Sequence, residues 1–127
     1  GAPYSVSNLV SNTGVVASDV VSPGTARTKL AAAGYGTDKA IFGYGDPQTA
    51  ITNLVSNTGV VSSDVTGVGT ARGGISAAGY GTDKAIFGFT QYASVTNLVS
   101  NTGVVSSNVA YVGTDRSETA AASFGGV

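Results

Sequence analysis

Thr52-Asn53-Leu54-Val55-Ser56-Asn57-Thr58-Gly59-Val60-Val61 decides how this chain is read, because the chain writes the phrase nearly three times. Asn8-Leu9-Val10-Ser11-Asn12-Thr13-Gly14 recurs at Asn53 and again at Asn97, at spacings of 45 and 44 residues. A second phrase, Ala77-Ala78-Gly79-Tyr80-Gly81-Thr82-Asp83-Lys84-Ala85-Ile86-Phe87-Gly88, repeats the stretch that begins at Ala32. Of the 37 positions from Asn8 to Tyr44, 28 are identical one repeat later. A period in this range marks a repeat architecture, a propeller or a solenoid.

Each repeat reads as a meander of four short strands. Residues 4–10 alternate loosely and predict a strand. Ser11-Asn12-Thr13-Gly14 is a turn, with Gly supplying the positive φ that closes a hairpin. Residues 15–20 return as a second strand, and Ser22-Pro23-Gly24-Thr25 is a loop. Ala31-Ala32-Ala33 has helical propensity, but Gly34-Tyr35-Gly36 follows at once and leaves a segment too short for an isolated helix. A strand of small side chains, crowded by its neighbours, is the better reading. Gly36-Thr37-Asp38-Lys39 is the next turn. In the strand that follows, Ala40, Phe42 and Tyr44 are expected on one face and Ile41 and Gly43 on the other. Both faces are then apolar or bare, as in a sheet covered on both sides.

Of the 127 residues only 10% are charged, with 6 basic and 7 acidic side chains and a formal net charge of −1. Soluble domains usually carry about 25%. That balance offers no basic footprint for nucleic acid and no basic stripe for an anionic membrane. No apolar run approaches the 18 or so residues of a membrane-spanning helix. Cys, His, Met and Trp are all absent, so thiolate and imidazole ligands and disulfides are excluded. An oxidation-proof chain suits a virion or extracellular setting, and few charges with 42% hydrophobic residues suggest a surface largely covered by other copies or dressed by something else.

The order of signals resembles the kelch family of β-propellers. An Arg opens a strand (Arg27, Arg72), small apolar residues follow (Ala31 to Ala33, Ala77-Ala78), then a turn with an acidic residue (Asp38-Lys39, Asp83-Lys84). An aliphatic–aromatic–Gly strand end comes next (Ile41-Phe42-Gly43, Ile86-Phe87-Gly88), then a hairpin with an Asn-Thr turn (Asn57-Thr58, Asn101-Thr102). The family's paired Gly is here Gly-Tyr-Gly or Gly-Phe, and its usual last-strand Trp is missing. The near-identical repeats are also similar to tandem repeats in environmental phage proteins, tail-fibre-associated ones among them. The kelch resemblance implies that the opening arginines, Arg27, Arg72 and Arg116, point to a channel mouth and contact partners. The plainer reading of the same residues is an Arg that fixes a loop or pairs with a neighbouring Asp.

Candidate chemistry is sparse. Asp38/Asp83 and Asp19/Asp64 recur with the repeat and sit in or beside turns. The second pair becomes Asn at 108, which favours a hydrogen-bonding role over a required charge. Gly34-Tyr35-Gly36 lacks the helix and the Lys-Ser/Thr of a phosphate loop. Tyr35, Tyr80 and Phe124 either stack on sugars or fill space between sheets. No catalytic residue, metal ligand or cofactor is expected, and the binding candidates are Arg27, Arg72, Arg116, Tyr35 and Tyr80.

The expected fold is an all-β propeller of ~45-residue four-stranded blades, with the ring completed by association of copies. The whole of 1–127 forms one repeat domain: a blade part at 4–20, repeats at 27–65 and 72–109, and a broken repeat at 116–127. The expected function is a non-enzymatic structural or binding module, virion-associated or extracellular, with glycan or protein recognition at one ring mouth. An engineered or minimal propeller scaffold without ligand, and a subunit of an open-ended extracellular filament, are the alternatives. The expected partners are further copies, as a dimer or head to tail.

Overall fold

The computed structural model describes residues 2–90, 93–110, 113–116 and 119–124. Among them there is no helix; every element is a strand and every pairing is antiparallel. The strands are β1 (Val6–Ser7), β2 (Val20–Val21), β3 (Ala31–Tyr35), β4 (Lys39–Gly45), β5 (Thr49–Val55), β6 (Ser76–Tyr80), β7 (Lys84–Gly88), β8 (Val95–Val99) and β9 (Val109–Ala110). They form three sheets in the orders β1-β2, β3-β4-β5 and β6-β7-β8-β9. The alanine tracts lie in β3 and β6, as strands.

The returning strand of each Asn-Thr-Gly hairpin is thinner than its alternation suggests. Residues 10 and 16, 55 and 61, and 99 and 105 meet as single bridges. In the second and third hairpins a serine stands in the ladder, whereas the first has Ala17 at that position. Ser62 Oγ accepts from the Leu54 amide at 3.0 Å, while the Ser62 amide donates to the Leu54 carbonyl at 2.8 Å. A side chain thus takes one place in the ladder, and Ser106 does the same for Leu98. The turns themselves are as expected: Gly14, Gly59 and Gly103 have φ of 82°, 82° and 85°, which glycine adopts without strain.

The face assignment of β4 needs one correction. Alternation put Tyr44 beside Ala40 and Phe42. The register shifts between Gly43 and Gly45, and Tyr44 has φ 62°. This bulge re-aims the side chain. Tyr44 is fully buried, edge-on to Phe87 with ring centroids 5.1 Å apart. It therefore packs against the next repeat, as does the buried Ile41.

The second and third sheets bury one another. β3 packs against β6 and β7, and the core cluster of Tyr35, Ile41, Tyr44, Ile75, Ala85, Phe87 and Val99 lies at that junction. Gly43 marks the closest approach: a Cβ there would lie 2.8 Å from Phe87 Cζ. Backbone bonds cross the same junction, from the Gly36 amide to the Asp83 carbonyl at 2.7 Å and from Gly45 to the Arg72 carbonyl at 2.9 Å. Equivalent residues differ according to whether a following sheet covers them. Tyr35 is 4% exposed and Tyr80 is 39% exposed; Ile41 is buried and Ile86 only half-buried. A sheet apolar on both faces is stabilised by about 25 cal/mol per Å² of apolar surface that its neighbours cover.

Candidate functional site

The most elaborate polar arrangement is a latch built once per repeat. A Thr and an Arg sit on the loop that enters each sheet, an Asn on its third strand, and an Asp or Asn on the segment that follows that strand's hairpin turn. Asn interrupts an apolar strand and is disfavoured there; Asn53 is nevertheless 3% exposed and Asn97 is fully buried. The latch explains both. Arg27 Nη2 donates to Asn53 Oδ1 at 2.8 Å, and Arg72 Nη2 to Asn97 Oδ1 at 2.7 Å. The asparagines donate in turn, Asn53 Nδ2 to Asp64 Oδ1 at 2.9 Å and Asn97 Nδ2 to Asn108 Oδ1 at 3.1 Å. The incoming loop closes the arrangement. The Thr25 amide and hydroxyl donate to Asp64 at 3.0 and 2.5 Å. The Thr70 amide donates to Asn108 Oδ1 at 3.1 Å, and Asn108 Nδ2 donates to Thr70 Oγ1 at 2.8 Å.

Aromatic rings complete it. The Arg72 guanidinium lies 4.4 Å from the Tyr44 ring centre, and that of Arg116 lies 4.9 Å from the Phe89 ring centre. Each is a cation–π contact. Arg27 Nε donates to the Tyr44 carbonyl at 2.6 Å. The first Nη of each arginine donates to the carbonyl of the Thr two residues earlier, at 2.9, 2.8 and 3.3 Å for Arg27, Arg72 and Arg116.

Electrostatics follow the contacts. Burial lowers the Arg27 pKa from its usual value, and the nearby Asp64 charge opposes that. Hydrogen bonds from Thr25, then Asn53, hold the Asp64 carboxyl below the usual range. Asp38 and Asp83 are lowered mainly by bonds from Lys39 and Lys84, then from Asn57 and Asn101. Burial raises the Tyr44 phenol, and the Arg72 charge opposes the rise.

The five binding candidates do not converge on one site. Arg72 is 1% exposed, so the structure places it in the loop-fixing role; its guanidinium is enclosed rather than presented to a partner. Arg27 is half-buried in the same role, and Arg116 is exposed. Tyr35 fills the space between the second and third sheets, where a Cβ on Gly103 would lie 3.0 Å from its ring. Tyr80 lines an open groove with Ile86, Phe89 and Phe124. A smaller cavity of about 320 Å³ lies at the other end, between the first hairpin and the second sheet, lined by Tyr4, Arg27, Leu30, Ala32 and Phe42 among others.

The sequence reading missed Asn53 and Asn97. Their signal was available: a polar residue recurring inside an apolar strand demands a buried partner. Among the described residues no group of three or more acidic, His or Cys side chains could hold a metal ion. No protein-family model matches the chain, and a search of curated proteins finds no significant match.

Proposed function

We propose that the chain is a non-enzymatic structural module of the β-propeller type, in which four-stranded sheets succeed one another around an axis and serve as a scaffold on a virion or outside the cell. The observation that carries this reading is the contrast between Tyr35 and Tyr80, 4% and 39% exposed at equivalent positions. The same side chain is sealed or open according to whether another sheet follows it. That is how units behave when each completes its neighbour's core.

Two further features support it. The small-residue strands β3 and β6 lie side by side, as innermost strands do in a propeller. The acidic side chains are also committed to structure: Asp38 and Asp83 pair with the adjacent lysines at 2.7 and 2.9 Å, and Asp64 holds the latch. The test is averaged electron microscopy of the purified protein. Compact discs or arcs with radial divisions are expected. A flat ladder of sheets without curvature would overturn the propeller reading.

A further inference from the structure

We infer that a second copy of this chain docks end to end with the first, its Asn8–Asp19 hairpin receiving the Thr114–Arg116 loop to form a latch across the two molecules. The inference deepens the repeat reading above and rests on it. The chain contains three latch arginines and three latch asparagines, paired one repeat out of step. Arg27 takes Asn53 and Arg72 takes Asn97, leaving Asn8 at one end and Arg116 at the other. Both are exposed.

Each half is already posed. Arg116 donates to the Thr114 carbonyl and lies over Phe89, as Arg72 donates to Thr70 and lies over Tyr44. Asn8 Nδ2 donates to the Ala17 carbonyl at 3.1 Å and to Asp19 Oδ1 at 2.7 Å. Asn53 makes the same two bonds, to the Ser62 carbonyl at 3.2 Å and to Asp64 at 2.9 Å. Asn53 and Asn97 each use the remaining oxygen to accept an arginine, and in Asn8 that oxygen belongs to an exposed residue. The charges also match, since the incoming Arg116 would approach Asp19 as Arg27 approaches Asp64.

An independent contact agrees on the same alignment. Leu9 occupies the space where a Gly59 Cβ would project, and Leu54 and Tyr35 lie 3.0 Å from where a Gly103 Cβ would sit. Gly14, in the third identical turn, has nothing within 4 Å of that position. The residues one repeat on from Tyr35 and Leu54 are Tyr80 and Leu98, and Tyr80 is open. The turn of one copy and the tyrosine of the other are therefore the two halves of a contact the chain makes within itself. The junction is heterologous, so it closes into a ring or runs on as a filament, according to the rotation per copy.

The absence of cysteine makes a direct test clean. Thr114→Cys and Asp19→Cys are introduced together and the chain is oxidised. The control is Thr25→Cys with Asp64→Cys, at side chains that touch within one molecule. The control is expected to close inside single chains, and the 114/19 pair to give covalent dimers or a ladder on a non-reducing gel. Adding Arg116→Ala should reduce that yield about tenfold, the effect of losing a charged hydrogen bond of roughly this strength. Free thiols at 19 and 114, or a bond between them inside one chain, with the control closed, overturns the docking and leaves the repeat fold standing. Failure of the control bond overturns the latch itself, and the docking with it.

Discussion

Arg72→Ala should be among the most damaging single substitutions in this chain. The guanidinium is 1% exposed, donates to Asn97 Oδ1 at 2.7 Å and to the Thr70 carbonyl at 2.8 Å, and covers the Tyr44 ring. Its removal strands the fully buried Asn97 oxygen and opens space beside Tyr44. Deleting one partner of a buried charged arrangement costs about 3–5 kcal/mol, of which a desolvated cation–π contact supplies ~2 kcal/mol. Domains hold only about 5–15 kcal/mol in total. The melting temperature should fall by roughly 12–20 °C, at about 4 °C per kcal/mol for a chain of this size. Arg116→Ala is the internal standard. It removes the repeat's equivalent side chain from an exposed site, where a cation–π contact contributes about 0.5–1 kcal/mol. Arg72→Lys keeps the charge and loses the planar fork that reaches two acceptors, so it should fall between the two. Urea unfolding at low protein concentration, with the m-value checked for constancy, measures all three. Equal losses for Arg72→Ala and Arg116→Ala would refute the reasoning.

The two glycines that end the Ile-Phe-Gly phrase should respond unequally to alanine. A Cβ at Gly43 meets Phe87 at 2.8 Å and Thr52 at 3.0 Å, whereas at Gly88 it meets only Thr96 within 3 Å; Gly43→Ala should cost about 1–3 kcal/mol and Gly88→Ala less, by the same urea assay. Stability should hold from neutral pH down to about 5 and decline as pH falls through the ordinary Asp range near 4 and below. The sign follows from the depressed carboxyls of Asp64, Asp38 and Asp83, which favour the folded state while ionised and lose that preference on protonation. Asp64→Asn, which copies Asn108, should flatten this acid limb. Tyr44 acts in the opposite sense, since its raised pKa favours the folded state while the phenol is protonated, and that stability should vanish above the usual tyrosine range near 10. Thermal melts across the pH range read both limbs.

Strand order and turn positions were legible because they depend on local chemistry. Gly14, Gly59 and Gly103 must supply positive φ wherever the Asn-Thr hairpins close, and β3 could not be a helix with Gly34 and Gly36 so near. The two-sided character of the sheets was legible from Ile41 and Phe42, neighbours that must point oppositely. Tyr44 was not. Alternation assumes unbroken pairing, and nothing in Phe42-Gly43-Tyr44-Gly45 announces the register shift that turns the ring toward the next sheet. The latch was half legible. Asp64 and its replacement by Asn108 pointed to hydrogen bonding, but pairing Arg27 with Asn53 joins residues 26 apart, and periodicity carries no information about which turn of the repeat meets which. The ladder serines of the second and third hairpins were hidden for a similar reason: a serine reads as a solvent-facing strand residue until its hydroxyl is seen accepting from Leu54.

The offset pairing of arginine and asparagine has a consequence for how such a gene can change. A duplication of one period, begun at any codon, inserts a sheet whose leading and trailing surfaces already fit those on either side. No compensating substitution is needed, because the inserted Arg finds an Asn and the displaced Asn finds an Arg. Length can therefore drift by whole periods under unequal recombination, while an insertion of any other size breaks every latch it spans.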